Sequence, residues 1–154
     1  MGRCMTELVD KLSEENNLST LEMTELVRYR NQETTSYIFK KALETKERYY
    51  GRKIFLRGTV ELTNYCKNEC YYCGLRRSNK FITRFRLDEN DIMEYCSNGY
   101  DKGIRTFVLM GGDDYYFTEN KVAALIYMIK SEFPGCAVEL CLGERPSQTY
   151  QTWF

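Results

Sequence analysis

The chain has 154 residues, 43% of them apolar and 29% charged, which is the make-up of a globular protein large enough to bury a core. Lys+Arg and Asp+Glu balance at 22 each, so no overall field points toward nucleic acid or an anionic membrane as a partner. No apolar run approaches the roughly 20 residues that cross a bilayer, and the start, MGRCMTELVDKLSEENN, is charged too early for a secretory leader. Gly2 and Thr6 match the short myristoylation pattern, with Cys4 beside them. The seven cysteines are odd in number and three are crowded together. That suits a reducing compartment and metal work rather than a disulfide framework, and a cytoplasmic location is expected.

In chain order, the first fifty residues read as helices. Ser19 with Glu22 makes a capping box before LEMTELVRYR. A longer helix over about 33–50 carries Ile38/Ala42 and Phe39/Leu43 pairs and stops at Gly51. The period then changes: KIFLRGTVEL alternates, with Ile54, Leu56, Val60 and Leu62 on one face, and predicts a strand. Asp88 caps a helix to about Lys102, closed by Gly103. IRTFVLM, 104–110, suits a buried strand. Thr118 caps a helix whose Val122, Leu125, Ile126 and Ile129 form one stripe, ended by Pro134-Gly135. CAVELCL, 136–142, is a third strand, and Pro146 or Ser147 opens a last helix.

Strands alternating with helices imply an α/β fold with a parallel sheet. The division expected is a helical segment over 1–51 and a β/α part over 52–154. Three parallel strands close no barrel, so the pattern reads as the front of a larger, truncated fold.

Ligands of parallel α/β folds bind at the C-terminal ends of the strands. The loop ELTNYCKNECYYCGLRRSNK follows the first strand, MGGDD (110–114) the second and GER (143–145) the third. Thiolates at Cys66, Cys70 and Cys73 are soft ligands suited to zinc or iron–sulfur clusters. Structural zinc takes four ligands, and the chain has no histidine. Cys96, Cys136 or Cys141 would have to supply the fourth, and all three read better as small packing residues. A 4Fe-4S cluster, by contrast, can be held by three cysteines with one iron left open. The neighbours have plain readings too: Gly111-Gly112 as a turn, Asp113 and Asp114 as caps of the following segment or solvated side chains, Glu144 with Arg145 as a surface ion pair. Arg76, Arg77, Arg84 and Arg86 read as a solvated basic loop from which one arginine meets a carboxylate.

Cys66-x-x-x-Cys70-x-x-Cys73, with Tyr72 before the last cysteine, resembles the signature of radical S-adenosylmethionine (radical SAM) enzymes. RGTVELTNYCKNECYYCGLRRSNKFITRFRL, VLMGGDDYY and LCLGERPSQTYQTW together look like the FeFe-hydrogenase maturation enzymes of the HydE type, relatives of biotin synthase and methylornithine synthase. The similarity covers about 21–154 of this chain but only the first half or less of the family's length. It implies N-terminal helices followed by the first three β/α units of a TIM-like radical SAM barrel. It also implies a 4Fe-4S cluster on Cys66, Cys70 and Cys73, and S-adenosylmethionine chelated to the free iron. Reduction of the sulfonium then yields methionine and a 5′-deoxyadenosyl radical.

By the same resemblance, Tyr72 lies near the adenine, Gly111 and Gly112 present backbone to the methionine amino end, and Glu144 is a cofactor contact. Asp113 stands where the family usually has glutamate, one methylene longer, which puts its own contact in question. No catalytic residue is assigned. The implied partners are a small-molecule substrate, a ferredoxin- or flavodoxin-like electron donor and other hydrogenase maturation proteins. A biotin synthase-like or methylornithine synthase-like enzyme, and an inactive cluster- or zinc-binding fragment, are the competing readings.

Overall fold

Residues 4–154 are described by a computed structural model. Gly2, and with it the myristoylation pattern, lies outside the described residues; of its neighbours, Cys4 Sγ sits 2.8 Å from Thr6 Oγ1. The described residues form two compact units that divide after Ile54.

The first unit is three helices, α1 (Met5–Glu15), α2 (Thr20–Tyr29) and α3 (Gln32–Tyr50). Local chemistry sets their ends. The Ser19 hydroxyl accepts the Glu22 amide at 3.3 Å while the Glu22 carboxylate accepts the Ser19 amide at 2.9 Å, the reciprocal capping box expected. Asn31 caps α3 through Thr34 N–H at 2.8 Å, and Gly51 ends it. Leu8, Val9, Leu18 and Leu26 form a small core with Ile38 packed on it, but Phe39 and Leu43 are exposed. Lys11 joins α1 to α2 through the Glu22 carboxylate at 2.9 and 3.1 Å.

The Lys11 ammonium, with the Ser19 amide and hydroxyl, pulls the Glu22 carboxyl from 4.5 down to about 2. A depressed carboxyl stabilises the fold above its unfolded value, and that contribution fades as pH falls from about 4.5 through about 2. Glu22→Gln is therefore expected to melt below wild type at pH 6, with the gap closing between pH 5 and pH 2. Paired circular-dichroism melts across that range check it; a gap independent of pH refutes the assignment.

In the second unit, β1 (Gly58–Thr63), α4 (Glu89–Asp101), β2 (Thr106–Gly111), α5 (Glu119–Glu132), β3 (Ala137–Cys141) and α6 (Ser147–Trp153) follow one another. The sheet is parallel in the order β1-β2-β3. Val60, Leu62, Phe107 and Leu109 point to one face, where Ile92 and Cys96 of α4 and Val122, Leu125 and Ile129 of α5 cover them. Trp153 donates to the Glu119 carbonyl at 3.0 Å and so seats α6 at the start of α5.

Two expectations are corrected. The first strand does not begin at Lys53: Gly58 pairs with Phe107 near the start of β2, so 53–57 have no partner ladder, and Ile54 is 84% exposed. Cys141 is not a packing residue either. It lies exposed on the edge strand, whereas Cys96 and Cys136 are fully buried. Burial pushes the Cys96 thiol up to about 11, with Cys136 adding to the effect.

At the C-terminal end of β1 the register slips between Glu61 and Thr63. Successive side chains of a regular strand face opposite ways, yet Leu62 and Thr63 are both buried here. That turned-in threonine starts the site.

Candidate functional site

The cysteine loop, residues 64–86, leaves β1 and returns beside it, where Thr63 bridges Arg86 in antiparallel sense. Asn64 closes its neck: the side-chain amide donates to Thr83 O at 2.7 Å and the amide oxygen accepts Phe85 N–H at 2.7 Å. Inside, the Cys73 amide donates to Cys70 O at 3.1 Å and the Arg77 amide to Asn68 O at 2.9 Å.

Arg84 is the hub. Its guanidinium donates to Leu75 O at 2.9 Å, Arg76 O at 2.7 Å and Asn79 O at 3.1 Å, and also to Asn64 O. A planar fork of five N–H groups suits this task, because its donors are fixed relative to one another. One side chain thus gathers carbonyls from both ends of the loop.

The neighbouring strand ends meet this loop through two buried aspartates. Asp114 takes the Arg86 guanidinium side-on, at 2.7 and 2.9 Å, and accepts the Thr63 hydroxyl at 2.9 Å. The Tyr65 ring, 4.1 Å from the Arg86 guanidinium, and the Tyr116 ring, 5.0 Å from it, flank that group. Asp113 is 6% exposed, with Lys67 at 3.0 Å and Arg145 at 2.9 Å on its carboxylate. Burial would raise both carboxyls, but the paired cations outweigh it and hold each below its ordinary value.

The residues singled out from sequence come to one end of the sheet, but differently exposed. Cys66, Cys70 and Cys73 are free thiols, each partly exposed. Tyr72 is 93% exposed, a bare ring open to stacking. Gly111 and Gly112 let β1 and β2 approach: the Gly112 amide donates to Thr63 O at 3.2 Å, and a Cβ on Gly111 would sit 2.8 Å from that same oxygen. Carbonyls are then what these glycines can offer an ammonium group. Glu144 is exposed, and the surface ion pair expected with Arg145 is replaced by Arg145 binding Asp113. Asp113 and Asp114 are buried in ion pairs rather than solvated; Asp114 does cap the following segment, its Oδ1 accepting Tyr116 N–H at 3.1 Å, while Thr118 caps α5. Of the basic patch, Arg86 meets the buried Asp114 carboxylate, and Arg77 lies 3.6 Å from that of Glu69 at the surface.

Sequence reasoning missed Asn64, Thr63, Lys67, Arg145 and the use of Arg84. The alternation in Arg84-Phe85-Arg86, which puts both arginines on one face of an extended segment, was the available signal.

A polar cavity of about 540 Å³ opens beside Cys66, bordered by Tyr65, Lys67, Asp113, Asp114 and Tyr115. Among the described residues no three cysteine or acidic side chains converge on a single-ion position. Three thiolates that each take a different corner of an iron–sulfur cube need not converge, since the irons stand apart. The Asp113 amide also donates to Cys66 Sγ at 3.4 Å, a sulfur acceptor bond of the kind that supports a cluster thiolate. Cys96 and Cys136 are shut in the core, and among the described residues no cysteine or acidic side chain joins the loop thiols in a group that could hold a single zinc ion. The donor set fits a three-cysteine cluster.

A cysteine loop follows the first strand of a parallel sheet, a glycine pair the second and a Gly-Glu turn the third, and the chain is a homologue of radical SAM enzymes. Its relatives are specific. It is 36% identical over 116 residues to the [FeFe] hydrogenase maturase subunit HydE of Thermotoga maritima, covering 75% of this chain and 33% of that protein. It is 29% identical over 127 residues to 3-methylornithine synthase of Methanosarcina barkeri, covering 81% and 36%. The crystal structure of methylornithine synthase (PylB) superposes with a TM-score of 0.79 at 26% identity over 95% of this chain and 43% of that one. That of HydG, at 21% identity and a TM-score of 0.80, shows the shared fold. No family model matches the chain. The chain spans about a third of the length of the curated relatives it matches. No helix among the described residues is long and apolar enough to cross a membrane.

Proposed function

We propose that this chain holds a 4Fe-4S cluster on Cys66, Cys70 and Cys73 and takes S-adenosylmethionine beside it, as the N-terminal part of a TIM-like radical SAM barrel serving FeFe-hydrogenase maturation. The observation that carries this is the set of three reachable thiols on a loop whose shape is already fixed by Arg84 and Asn64. When bound, cluster and S-adenosylmethionine supply one-electron cleavage of the sulfonium to methionine and a 5′-deoxyadenosyl radical.

The chain's own residues supply the rest. The loop sets the sulfurs in place, and the ends of Gly111 and Gly112 offer acceptors to the methionine ammonium. Tyr72 gives a face for the adenine, and Glu144 stands on the third strand's turn as a further contact. The setting is the cytoplasm, with a small-molecule substrate, a ferredoxin- or flavodoxin-like reductant and other maturation proteins as partners. The 36% identity to a hydrogenase maturase favours that role. The superposition on methylornithine synthase over 95% of the chain favours a second reading, a methylornithine synthase-like radical SAM enzyme.

Anaerobic reconstitution with iron and sulfide is expected to give a brown protein with a reducible, EPR-active cluster whose spectrum changes on adding S-adenosylmethionine. A colourless product, or a spectrum indifferent to S-adenosylmethionine, rejects the proposal. A loaded cluster that yields no 5′-deoxyadenosine under dithionite marks the chain as a binding part without turnover.

A further inference from the structure

We infer that Asp113 is a positioning residue for Cys66: its main chain pairs with the Cys66-Lys67 segment, while its carboxylate is tied up bracing that segment to the turn after β3. This rests on the cluster reading above and names what holds the first of the three sulfurs.

Six observations converge on that one residue. The Asp113 amide donates to Cys66 Sγ at 3.4 Å, and its carbonyl accepts the Lys67 amide at 2.9 Å, so its backbone grips the loop from two sides. Lys67 Nζ reaches the carboxylate at 3.0 Å, and Asn68 Nδ2 lies at 3.4 Å. Arg145, only 14% exposed at its side chain, binds the other oxygen at 2.9 Å. Gly143 takes φ 80°, and a Cβ there would stand 2.6 Å from the Asp113 carboxyl carbon. The third-strand turn is therefore shaped around this carboxylate.

A buried carboxylate with two cations on its two oxygens has little capacity left for a third cation. The ammonium of S-adenosylmethionine would have to displace Lys67 or Arg145, and either exchange loosens the Cys66 segment. The shorter side chain matters here. Aspartate reaches the turn and the loop at once, and the cofactor's ammonium falls to backbone carbonyls instead.

The test has two arms on the full 154-residue chain. In metal-free protein, Arg145→Gln alters the third-strand turn and touches no cysteine. Hydrogen exchange at the Lys67 and Asp113 amides is expected to speed up at least tenfold, while the Leu62 and Leu109 amides keep their rates. Unchanged exchange at Lys67 and Asp113 overturns the inference. In reconstituted protein, Asp113→Asn takes away the charge that Lys67 and Arg145 pair with, so the Cys66 segment loosens and a mild chelator is expected to strip iron at least tenfold faster than from wild type; an unchanged rate overturns the inference. Binding of S-adenosylmethionine, read from its perturbation of the EPR spectrum, should stay within twofold. A tenfold loss of that binding overturns the inference and makes the carboxylate a cofactor contact. If wild-type protein takes up no cluster, the proposed function fails, and the exchange arm alone decides the role of Asp113.

Discussion

Replacing any one of Cys66, Cys70 or Cys73 by alanine is expected to strip anaerobically reconstituted protein of iron and acid-labile sulfide roughly tenfold or more. Removing even an outer-shell partner of a metal ligand typically costs about 10–100-fold in affinity, and removing a ligand itself should cost no less. Each of the three thiols is partly exposed and none is in a disulfide, so the loss is not a core effect. Cys96→Ala is the contrast: that thiol is fully buried between α4 and the sheet. It should lower the melting temperature and keep iron per folded protein. Iron and sulfide assays with melts on all four variants separate the two classes. If a loop variant keeps its full iron, the cluster assignment is wrong.

The second large effect is expected at Arg84. Four loop carbonyls converge on one guanidinium, and hydrogen bonds to a charged group are each worth about 1.5–3 kcal/mol. Water replaces some of this at the partly exposed loop, so Arg84→Ala should cost about 2–4 kcal/mol locally and leave the helical core nearly intact. Arg84→Lys should be almost as damaging despite its retained charge, because an ammonium cannot span carbonyls fixed in a plane. Cluster retention under a mild chelator and exchange at the Arg77 and Phe85 amides report the loop directly. Adding a small guanidinium salt should restore part of both in Arg84→Ala and nothing in Arg84→Lys, whose side chain fills the space. Equal behaviour of Arg84→Lys and wild type would show that charge alone matters there.

What was legible in the sequence was whatever is encoded within a few residues. The capping box of Ser19 and Glu22, the caps Asp88 and Thr118 and the stripe of α5 all rest on neighbours three or four apart, and all are present. The cysteine triad is equally local. The first strand was drawn too long because alternation in 53–57 says nothing of whether a partner strand extends that far. The aspartates were illegible for the same reason on a larger scale. Asp114 meets Arg86 across 28 residues and Thr63 across 51, and Asp113 meets Arg145 across 32. Such pairings exist only once three strand ends have been brought side by side, and no spacing announces them. Cys141 reads like Cys136 at the other end of the same apolar run, yet the two stand five residues apart, and alternation turns them to opposite faces of an edge strand.

Gly112 shows what that crowding of strand ends demands. A Cβ there would overlap the Tyr65 carbonyl and stand 2.8 Å from the Cys66 Cβ, both of them immovable without dislodging the first cysteine. Among the glycines described, the tightest is thus beside the first cysteine of the loop rather than in the oily interior. Alanine, the mildest of all changes elsewhere, would act there as a wedge, so mutational drift at this codon is closed off by a single methyl group.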